Sequence, residues 1–231
     1  MNIAIILSGG KGIRFQSNIP KQYIKVEDKP IIQFCLETFQ KSPSIDKIII
    51  VLDLSWQNYV AEIIKKVGIS KFCNFAVAGS SRQHSILKGL KSARQIVTPN
   101  SNVIIHDAVR PNVTIETIET CIKKLQEAEG VMPVLPLKDT IYISKDGMEI
   151  TSLLDRRQLF AGQSPEGFHL EPYLSLHENL SEQELSLVNG SSELAYRHGL
   201  HVAFIKGDEN NYKITTKVDF DKFCDEMRNK K

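Results

Sequence analysis

Short apolar runs alternate along the chain with longer segments whose apolar residues recur at helical spacing. The runs that predict strands are residues 2–7, 47–53, 74–78, 102–106, 130–134 and 201–205. The segments that predict helices are residues 30–40, 56–67, 82–94 and 115–129. Several strands are almost continuous in Ile and Val, which is typical of strands covered on both faces of a parallel sheet. We therefore predict an α/β fold with a doubly wound, mostly parallel sheet and helices on both faces.

One segment interrupts this alternation and is predicted to form a β-hairpin. Residues 138–144 and 148–154 flank Lys145-Asp146-Gly147, and an Asp-Gly pair between alternating segments is typical of a hairpin turn. An isolated two-stranded hairpin is marginally stable in water. We therefore expect this arm, about residues 137–158, to pack against a second copy of the chain in a homodimer. The alternative is that the hairpin lies on its own domain, and we interpret residues 1–231 as one domain.

The composition argues against several classes of protein. Hydrophobic residues make up 42% and charged residues 24%, and the net charge of +2 is spread in alternating signs, unlike the clustered basic charge of nucleic-acid binders. The four cysteines are far apart and form no CxxC pair, so we predict neither a zinc site nor a disulfide framework. No segment reaches the ~20 apolar residues that span a bilayer, and the N-terminus lacks the basic residues of a signal peptide. We expect a cytoplasmic protein with no nucleic-acid or membrane partner.

A glycine-rich turn, Leu7-Ser8-Gly9-Gly10-Lys11-Gly12, follows the first predicted strand. Glycines at this position let backbone N–H groups approach an anion, and Arg14 and Lys21 add cations suited to a triphosphate. A Walker loop is excluded because Gly12 stands where Ser or Thr is needed after the lysine. A dinucleotide fingerprint is excluded because Phe15 stands in place of its last glycine. Taken alone, the turn is also compatible with a tight bend bearing solvated charges.

Two later segments carry polar residues to the ends of predicted strands. The strand 102–106 delivers Asp107 and Arg110 to the edge of the sheet where ligand sites gather. A carboxylate there suits Mg²⁺, and an arginine suits a phosphate; the alternative is a helix cap and a surface ion pair. Before the helix 82–94, Ser80 or Ser81 is predicted to be the N-cap, and we expect His84 to be a solvated helix residue.

These segments together resemble the cytidylyltransferases that act on methylerythritol phosphate and ribitol phosphate. The similarity runs roughly from residue 3 to residue 220. It is carried by Leu-Ser-Gly-Gly-x-Gly-x-Arg-Phe at 7–15, Pro-Lys-Gln-Tyr at 20–23, a match to Gly-Gly-x-x-Arg-x-x-Ser at 78–85, His-Asp-Ala-x-Arg-Pro at 106–111, Lys-Asp-Thr at 138–140, Asp-Arg at 155–156, and Asn-x-Lys-Ile-Thr at 211–215.

The resemblance implies a Rossmann-like nucleotidyltransferase fold and a set of roles. The catalytic residues that it implies are Arg14, Lys21 and Lys213. The implied CTP-binding residues are Leu7, Ser8, Gly9, Gly10, Gly12, Gly79, Ser80, Arg82, Ser85 and Asp107. The implied acceptor-binding residues are Arg110, Thr140, Thr215 and, from the neighbouring subunit, Arg156. Asp107 is also the implied ligand of Mg²⁺, which is the expected cofactor.

The segment at residues 189–193 departs from the methylerythritol branch, which carries Thr-Asp-[Asp/Glu]-Ala-Ser there. This chain has Asn189-Gly190-Ser191-Ser192-Glu193, so an acidic residue expected near Gly190 is missing. We expect transfer of CMP from CTP to 2-C-methyl-D-erythritol 4-phosphate, a step of isoprenoid biosynthesis. D-ribitol 5-phosphate or another polyol phosphate, used for cell-surface polymers, is the alternative acceptor. A nucleotidyltransferase that uses another base or a sugar 1-phosphate is also compatible with these motifs, as is an inactive nucleotide-binding scaffold.

Overall fold

The structure is a computed structural model that describes residues 1–10, 12, 15, 17 and 19–229. Within these residues the strands are β1 (Asn2–Leu7), β2 (Lys25–Val26), β3 (Lys29–Pro30), β4 (Lys47–Leu52), β5 (Phe72–Val77), β6 (Asn102–Asp107), β7 (Gly130–Pro136), β8 (Tyr142–Ile143), β9 (Ser152–Leu153), β10 (Phe160–Gly162), β11 (Glu166–His169) and β12 (Val202–Lys206). The helices are α1 (Ile31–Lys41), α2 (Gln57–Val67), α3 (Arg82–Arg94), α4 (Ile115–Lys124), α5 (Leu170–Glu178), α6 (Glu182–Leu187), α7 (Ser191–Arg197) and α8 (Lys217–Arg228).

One large sheet holds the six predicted strands, whose bounds differ from the predicted ones by no more than two residues. β1 lies within it, parallel to β6 on one side and to β4 on the other, and β4 is parallel to β5. β12 is parallel to β7. β10 and β11 run antiparallel to β7, and β11 also to β6. The predicted α/β fold with a mostly parallel sheet is therefore confirmed, and the two antiparallel strands are an addition to it.

The alternation of side chains along β1 explains why helices cover both faces of the sheet. Ala4 and Ile6 join a core with residues of α1, α2 and α4, whereas Ile3 and Ile5 join a second core with residues of α3, α5 and α7. All four side chains are fully buried. Two separate cores, one for each face, are what a doubly wound sheet requires.

Several helices differ from the prediction. The helix predicted over residues 115–129 ends at Lys124, because the chain must turn there to enter β7 at Gly130. The apolar spacing nevertheless continues, since Leu125 and Ala128 stay buried in the core. Helices α5 to α8 were not predicted. Two of them carry a recognisable start signal, a capping box at Ser181 and another at Thr216.

The predicted hairpin is confirmed in a shorter form, with β8 paired to β9 over two residues of each strand. Its apolar side chains are exposed, including Tyr142, Met148 and Leu153. At its base Lys138 forms an ion pair with Glu209, at 2.5 Å. The described residues of the chain therefore leave much of the apolar surface of the hairpin uncovered, while the ion pair connects its base to the rest of the chain. The alternative that the hairpin lies on its own domain is not decided by these contacts. The homodimer and the single-domain interpretation stay predictions.

None of the helices in the described part of the chain is both long and apolar enough to cross a membrane.

Candidate active site

A cavity of about 730 Å³ lies at the carboxyl ends of β1 and β6. The strand order reverses here, because β4 and β6 lie on opposite sides of β1. Open α/β sheets bind ligands at such a topological switch point. The cavity is lined by Leu7, Gly9, Gly10, Gly12, Lys21, Gln22, Ser80, Ser81, Arg82, Ser85, Asp107, Val109 and Lys213. A second cavity of about 460 Å³, at the opposite edge of the sheet, has no Lys or Arg among its described lining residues. The first cavity is therefore the candidate site for an anion.

The glycine turn forms the floor of this cavity. Gly9 packs so closely on the turn after β5 that a Cβ at this position would overlap the Cβ of Ala78. Gly12 has φ +64°, a conformation that favours glycine. Ser8 is buried beneath the turn, where its hydroxyl donates to the hydroxyl of Tyr23 at 3.0 Å. Ser8 is not among the residues that line the cavity, and its predicted role in CTP binding stays a prediction.

Lys21 begins a short 3-10 turn that brings its side chain to the cavity beside Gly12. Lys213 reaches the cavity from the loop before α8. The third predicted catalytic residue, Arg14, lies outside the described residues. Two of the three predicted catalytic cations therefore line one cavity, although they are far apart in the sequence.

Asp107 lies at the centre of a cluster of cations. Its Oδ2 is 2.9 Å from Lys213 Nζ and 3.8 Å from Arg110 Nε, and its Oδ1 is 3.4 Å from Arg82 Nε. Burial alone would raise the pKa of the Asp107 carboxyl, but the charges of the three cations outweigh it and hold that pKa well below its usual range. The three cations therefore favour the ionised form of Asp107.

Glu166 on β11 is a functional-site residue that the sequence reasoning missed. Its buried carboxylate accepts hydrogen bonds from Arg82 Nη2 at 3.1 Å and from the backbone N–H and hydroxyl of Ser192 at 3.0 and 2.8 Å. Arg82 also donates to the hydroxyl of Ser191 at 2.6 Å. Arg82 is therefore held between two carboxylates, and both raise the pKa of its guanidinium against the effect of burial. No sequence motif pointed to Glu166.

The segment that departs from the methylerythritol branch forms the start of α7. The carboxylate of Glu193 accepts hydrogen bonds from the backbone N–H groups of Asn189 and Gly190, at 3.0 and 3.1 Å. Glu193 is thus used to cap this turn. The same segment contacts a second carboxylate, because the backbone N–H of Ser192 donates to Glu166.

The turn before α3 brings several of the predicted CTP-binding residues together. Ser81 is the N-cap of α3, and Ser80 and Ser85 line the cavity. Gly79 donates its backbone N–H to the hydroxyl of Ser85 at 3.0 Å. The expectation that His84 is solvated was wrong: it is 5% exposed, and its Nδ1 lies 2.7 Å from the hydroxyl of Ser81. This contact turns the imidazole back onto the helix start and away from water.

The predicted acceptor-binding residues do not line the cavity of their own chain. The Arg110 guanidinium is largely buried and donates through Nη1 to the carbonyl of Asn211 at 2.7 Å. Thr215 donates its hydroxyl to the carbonyl of Lys213 at 3.2 Å. Thr140 and Arg156 lie on the exposed arm, where Arg156 donates to the carbonyl of Lys138. Their roles stay predictions.

The chain matches a known family over almost its whole length. The profile of the 2-C-methyl-D-erythritol 4-phosphate cytidylyltransferase family, IspD, matches residues 2–224. A relative from Clostridium acetobutylicum named 2-C-methyl-D-erythritol 4-phosphate cytidylyltransferase is 37% identical over 221 residues, which cover 95% of this chain and 94% of the relative. A relative from Streptococcus agalactiae named ribitol-5-phosphate cytidylyltransferase is 31% identical over 221 residues, covering 95% and 92%.

Among solved structures, 4-diphosphocytidyl-2C-methyl-D-erythritol synthase from Anaerococcus prevotii is similar to the chain with a TM-score of 0.83 and 25% identity. The match covers 98% of this chain and 96% of that one. The sequence matches and the similarity of fold point to the same family, and the cationic cavity is compatible with it. The chain belongs to the 2-C-methyl-D-erythritol 4-phosphate cytidylyltransferase family.

Proposed function

We propose that this cytidylyltransferase transfers CMP from CTP to 2-C-methyl-D-erythritol 4-phosphate and releases pyrophosphate. The observation that carries the proposal is the cavity itself, in which a glycine turn faces Lys21, Arg82 and Lys213. The family profile and the relative from Clostridium acetobutylicum support this acceptor. A place in isoprenoid biosynthesis follows from the acceptor, and a cytoplasmic location, where CTP is available, stays a prediction.

In the proposed reaction, an oxygen of the acceptor phosphate attacks the α-phosphorus of CTP. A new P–O bond forms, the bond from the α-phosphorus to the bridging oxygen breaks, and the electron pair leaves with pyrophosphate. The attacking phosphate is already ionised near neutral pH, so the reaction needs no general base. Because two anions must meet, positioning and charge neutralisation carry the catalysis. This agrees with a cavity whose described charged lining residues are three cations and one carboxylate.

The roles of individual residues follow from where they lie. Lys21, beside the glycine turn, is suited to the charge that develops on the departing pyrophosphate. Lys213 is held next to Asp107 at 2.9 Å and is suited to the α-phosphate. Arg82 is fixed by Glu166 and Asp107 at the side of the cavity formed by the start of α3. Arg110 lies behind Asp107 and would add positive charge for the acceptor phosphate.

Mg²⁺ is the proposed cofactor, and the donor set fits it. Asp107 is the acidic residue among the described residues that line the cavity, and the described residues hold no cluster of three or more His, Cys, Asp or Glu side chains. Mg²⁺ commonly takes one or two carboxylates and completes its shell with phosphates and water. Asp107 would hold Mg²⁺ together with the nucleotide phosphates. When bound, Mg²⁺ supplies positive charge to the triphosphate.

D-ribitol 5-phosphate is the second candidate acceptor. The turn at Asn189 and Gly190 presents no free carboxylate, because Glu193 is occupied with capping it. Several of the relatives that cover 95% of this chain are named ribitol-5-phosphate cytidylyltransferase. An enzyme that makes precursors of cell-surface polymers is therefore the alternative.

Pyrophosphate release tests both candidates. The purified protein is given CTP and Mg²⁺ with 2-C-methyl-D-erythritol 4-phosphate, D-ribitol 5-phosphate or glycerol 3-phosphate, and then UTP, GTP or ATP in place of CTP. We expect the highest kcat/KM with CTP and the methylerythritol acceptor. A higher value with ribitol 5-phosphate would establish the alternative. CTP binding without pyrophosphate release from any acceptor would point to an inactive scaffold.

We also propose a homodimer formed through the arm. Tyr142, Met148 and Leu153 on the arm are more than half exposed, which is costly for apolar side chains unless a partner covers them. The predicted acceptor residues Thr140 and Arg156 lie on this same arm, away from the cavity of their own chain. A partner's arm would bring them to the site.

Subunit mixing tests the shared site. Arg156→Ala and Lys213→Met should each inactivate the enzyme when assayed alone. If the site takes Arg156 from the partner, a mixed dimer has one intact site, and an equal mixture should recover about a quarter of the wild-type activity. Recovery of no activity after the subunits have exchanged would contradict a shared site.

A further inference from the structure

Gln22 is a buried side chain that contacts the glycine turn and has no part in the proposed reaction. It follows Lys21 in the 3-10 turn Lys21–Tyr23 and is 3% exposed. Its amide nitrogen donates to the carbonyl of Ser8 at 2.7 Å and to the carbonyl of Gly10 at 2.9 Å. Both N–H donors of the amide are thus directed at the backbone of the glycine turn.

These two hydrogen bonds restrict what the turn can present to an anion. In a trans peptide the C=O and the following N–H point in opposite directions, so fixing the carbonyl of Ser8 also fixes the N–H of Gly9. Glycine backbones rotate easily, and a rotated peptide at Gly10 would turn a carbonyl oxygen towards the cavity. In the described part of the chain, the N–H group of Gly9 donates to no other group, so it is available to a ligand.

The turn that carries Gln22 is held by contacts of Tyr23. Tyr23 is stacked on Trp56 with ring centroids 4.5 Å apart, and its hydroxyl contacts both the hydroxyl and the carbonyl of Ser8. The residue that follows Gln22 is therefore held in place by these contacts, and the residue that precedes it is the cation Lys21. One short turn sets both the direction of the loop peptides and the place of a lysine.

We propose that Gln22 is a positioning residue for the pyrophosphate part of the nucleotide. It holds the carbonyls of Ser8 and Gly10 away from the anion so that the turn offers N–H groups, and it ties this turn to Lys21. The inference rests on the proposed function for the identity of the nucleotide. Its ligand class is a pyrophosphate group, with or without a nucleoside attached.

Binding of inorganic pyrophosphate with Mg²⁺, measured by isothermal titration calorimetry, tests this role apart from turnover. Gln22→Met keeps the volume and removes both donors. We expect it to weaken pyrophosphate binding at least about tenfold, because two buried carbonyls lose their partner and the loop can rotate. CMP, which lacks the pyrophosphate part, should bind with a change of less than about threefold. Equal weakening of both ligands, or no weakening of either, would overturn the proposal.

Gln40→Met is the matched control. Gln40 also makes two hydrogen bonds through its side chain, to the hydroxyl of Ser70 and from the backbone N–H of Lys71, but far from the cavity. This variant also loses two side-chain hydrogen bonds, and its pyrophosphate binding should stay unchanged. If the control weakened binding as much as Gln22→Met, the effect would be one of general stability and the proposal would be wrong.

Gln22→Glu supplies a second readout. It is isosteric, but an ionised carboxylate cannot donate to two carbonyls, whereas a protonated one can donate to one. Pyrophosphate binding by this variant, relative to the wild type, should therefore improve as the pH falls from 8 to 6, and Gln22→Met should show no such trend. If Gln22→Glu and Gln22→Met showed the same pH trend, or if neither variant folded, Gln22 would have a structural role only and the proposal would be wrong. Failure of the proposed function would appear separately, as a wild type that binds pyrophosphate but releases none from CTP.

Discussion

Replacement of Lys213 by methionine separates the catalytic role of its charge from its role in stability. At the 2.9 Å between Lys213 Nζ and Asp107 Oδ2, the attraction is about 6 kcal/mol at an effective dielectric constant of about 20 and about 1.4 kcal/mol in water. The Lys213 side chain is 37% exposed, so solvent screening places the net value near the lower figure, at roughly 1–2 kcal/mol. Asp107 also keeps Arg82 and Arg110 as partners.

The loss of stability should therefore be small, a decrease in Tm of about 2–8 °C for a chain of this length. The loss of turnover should be much larger. A cation that neutralises charge in the transition state typically contributes about 10²- to 10³-fold to kcat. We expect kcat for pyrophosphate release to fall by at least about 10²-fold while the variant remains folded at 25 °C.

Thermal unfolding and steady-state pyrophosphate release measure the two quantities. The control is Lys217→Met, on α8, where Lys217 forms a surface ion pair with Asp221 at 3.0 Å and its side chain is 68% exposed. That variant should keep its kcat. A decrease in kcat of less than about tenfold for Lys213→Met would refute the assignment of Lys213 to the reacting phosphates.

Three further predictions concern pH, the glycine turn and the metal. Burial lowers the pKa of His106 and of His177 to about 4. Between pH 7 and 5 the unfolded chain then binds protons that the folded chain does not, so the free energy of unfolding should fall by about 2 kcal/mol per histidine. In His177→Gln one of the two histidine contributions is lost, so the decrease between pH 7 and pH 5, measured by urea unfolding, should be roughly half that of the wild type. A decrease equal to that of the wild type would contradict the reasoning. Gly9→Ala should lower Tm because its Cβ would overlap the turn after β5, whereas Gly10→Ala, whose Cβ has open space, should keep Tm; equal effects would argue against the packing. Asp107→Asn should raise the Mg²⁺ concentration for half-maximal pyrophosphate release at least about tenfold, and an unchanged Mg²⁺ dependence would exclude Asp107 as the ligand.

Much of the fold could be predicted because its signals are local. Runs such as Asn2–Leu7 and Asn102–Asp107 are nearly continuous in apolar residues, and a strand buried on both faces needs nothing else to be recognised. β10 and β11 were missed because they are three and four residues long and contain glycine. Their place beside β6 and β7 depends on hydrogen bonds from neighbouring strands, which the local pattern does not record.

The sequence by itself predicted the glycine turn, the cations expected around it and the family resemblance, because each is carried by short local motifs. Only the tertiary structure decided that Lys213 contacts Asp107 across 106 positions of the chain, and that Glu166 contacts Arg82 across 84. It also decided that His84 is buried and that apolar side chains of the arm are exposed. Such contacts are made by folding of the sheet, which brings together strand ends that are distant in sequence. Their electrostatics therefore cannot be obtained from any single segment.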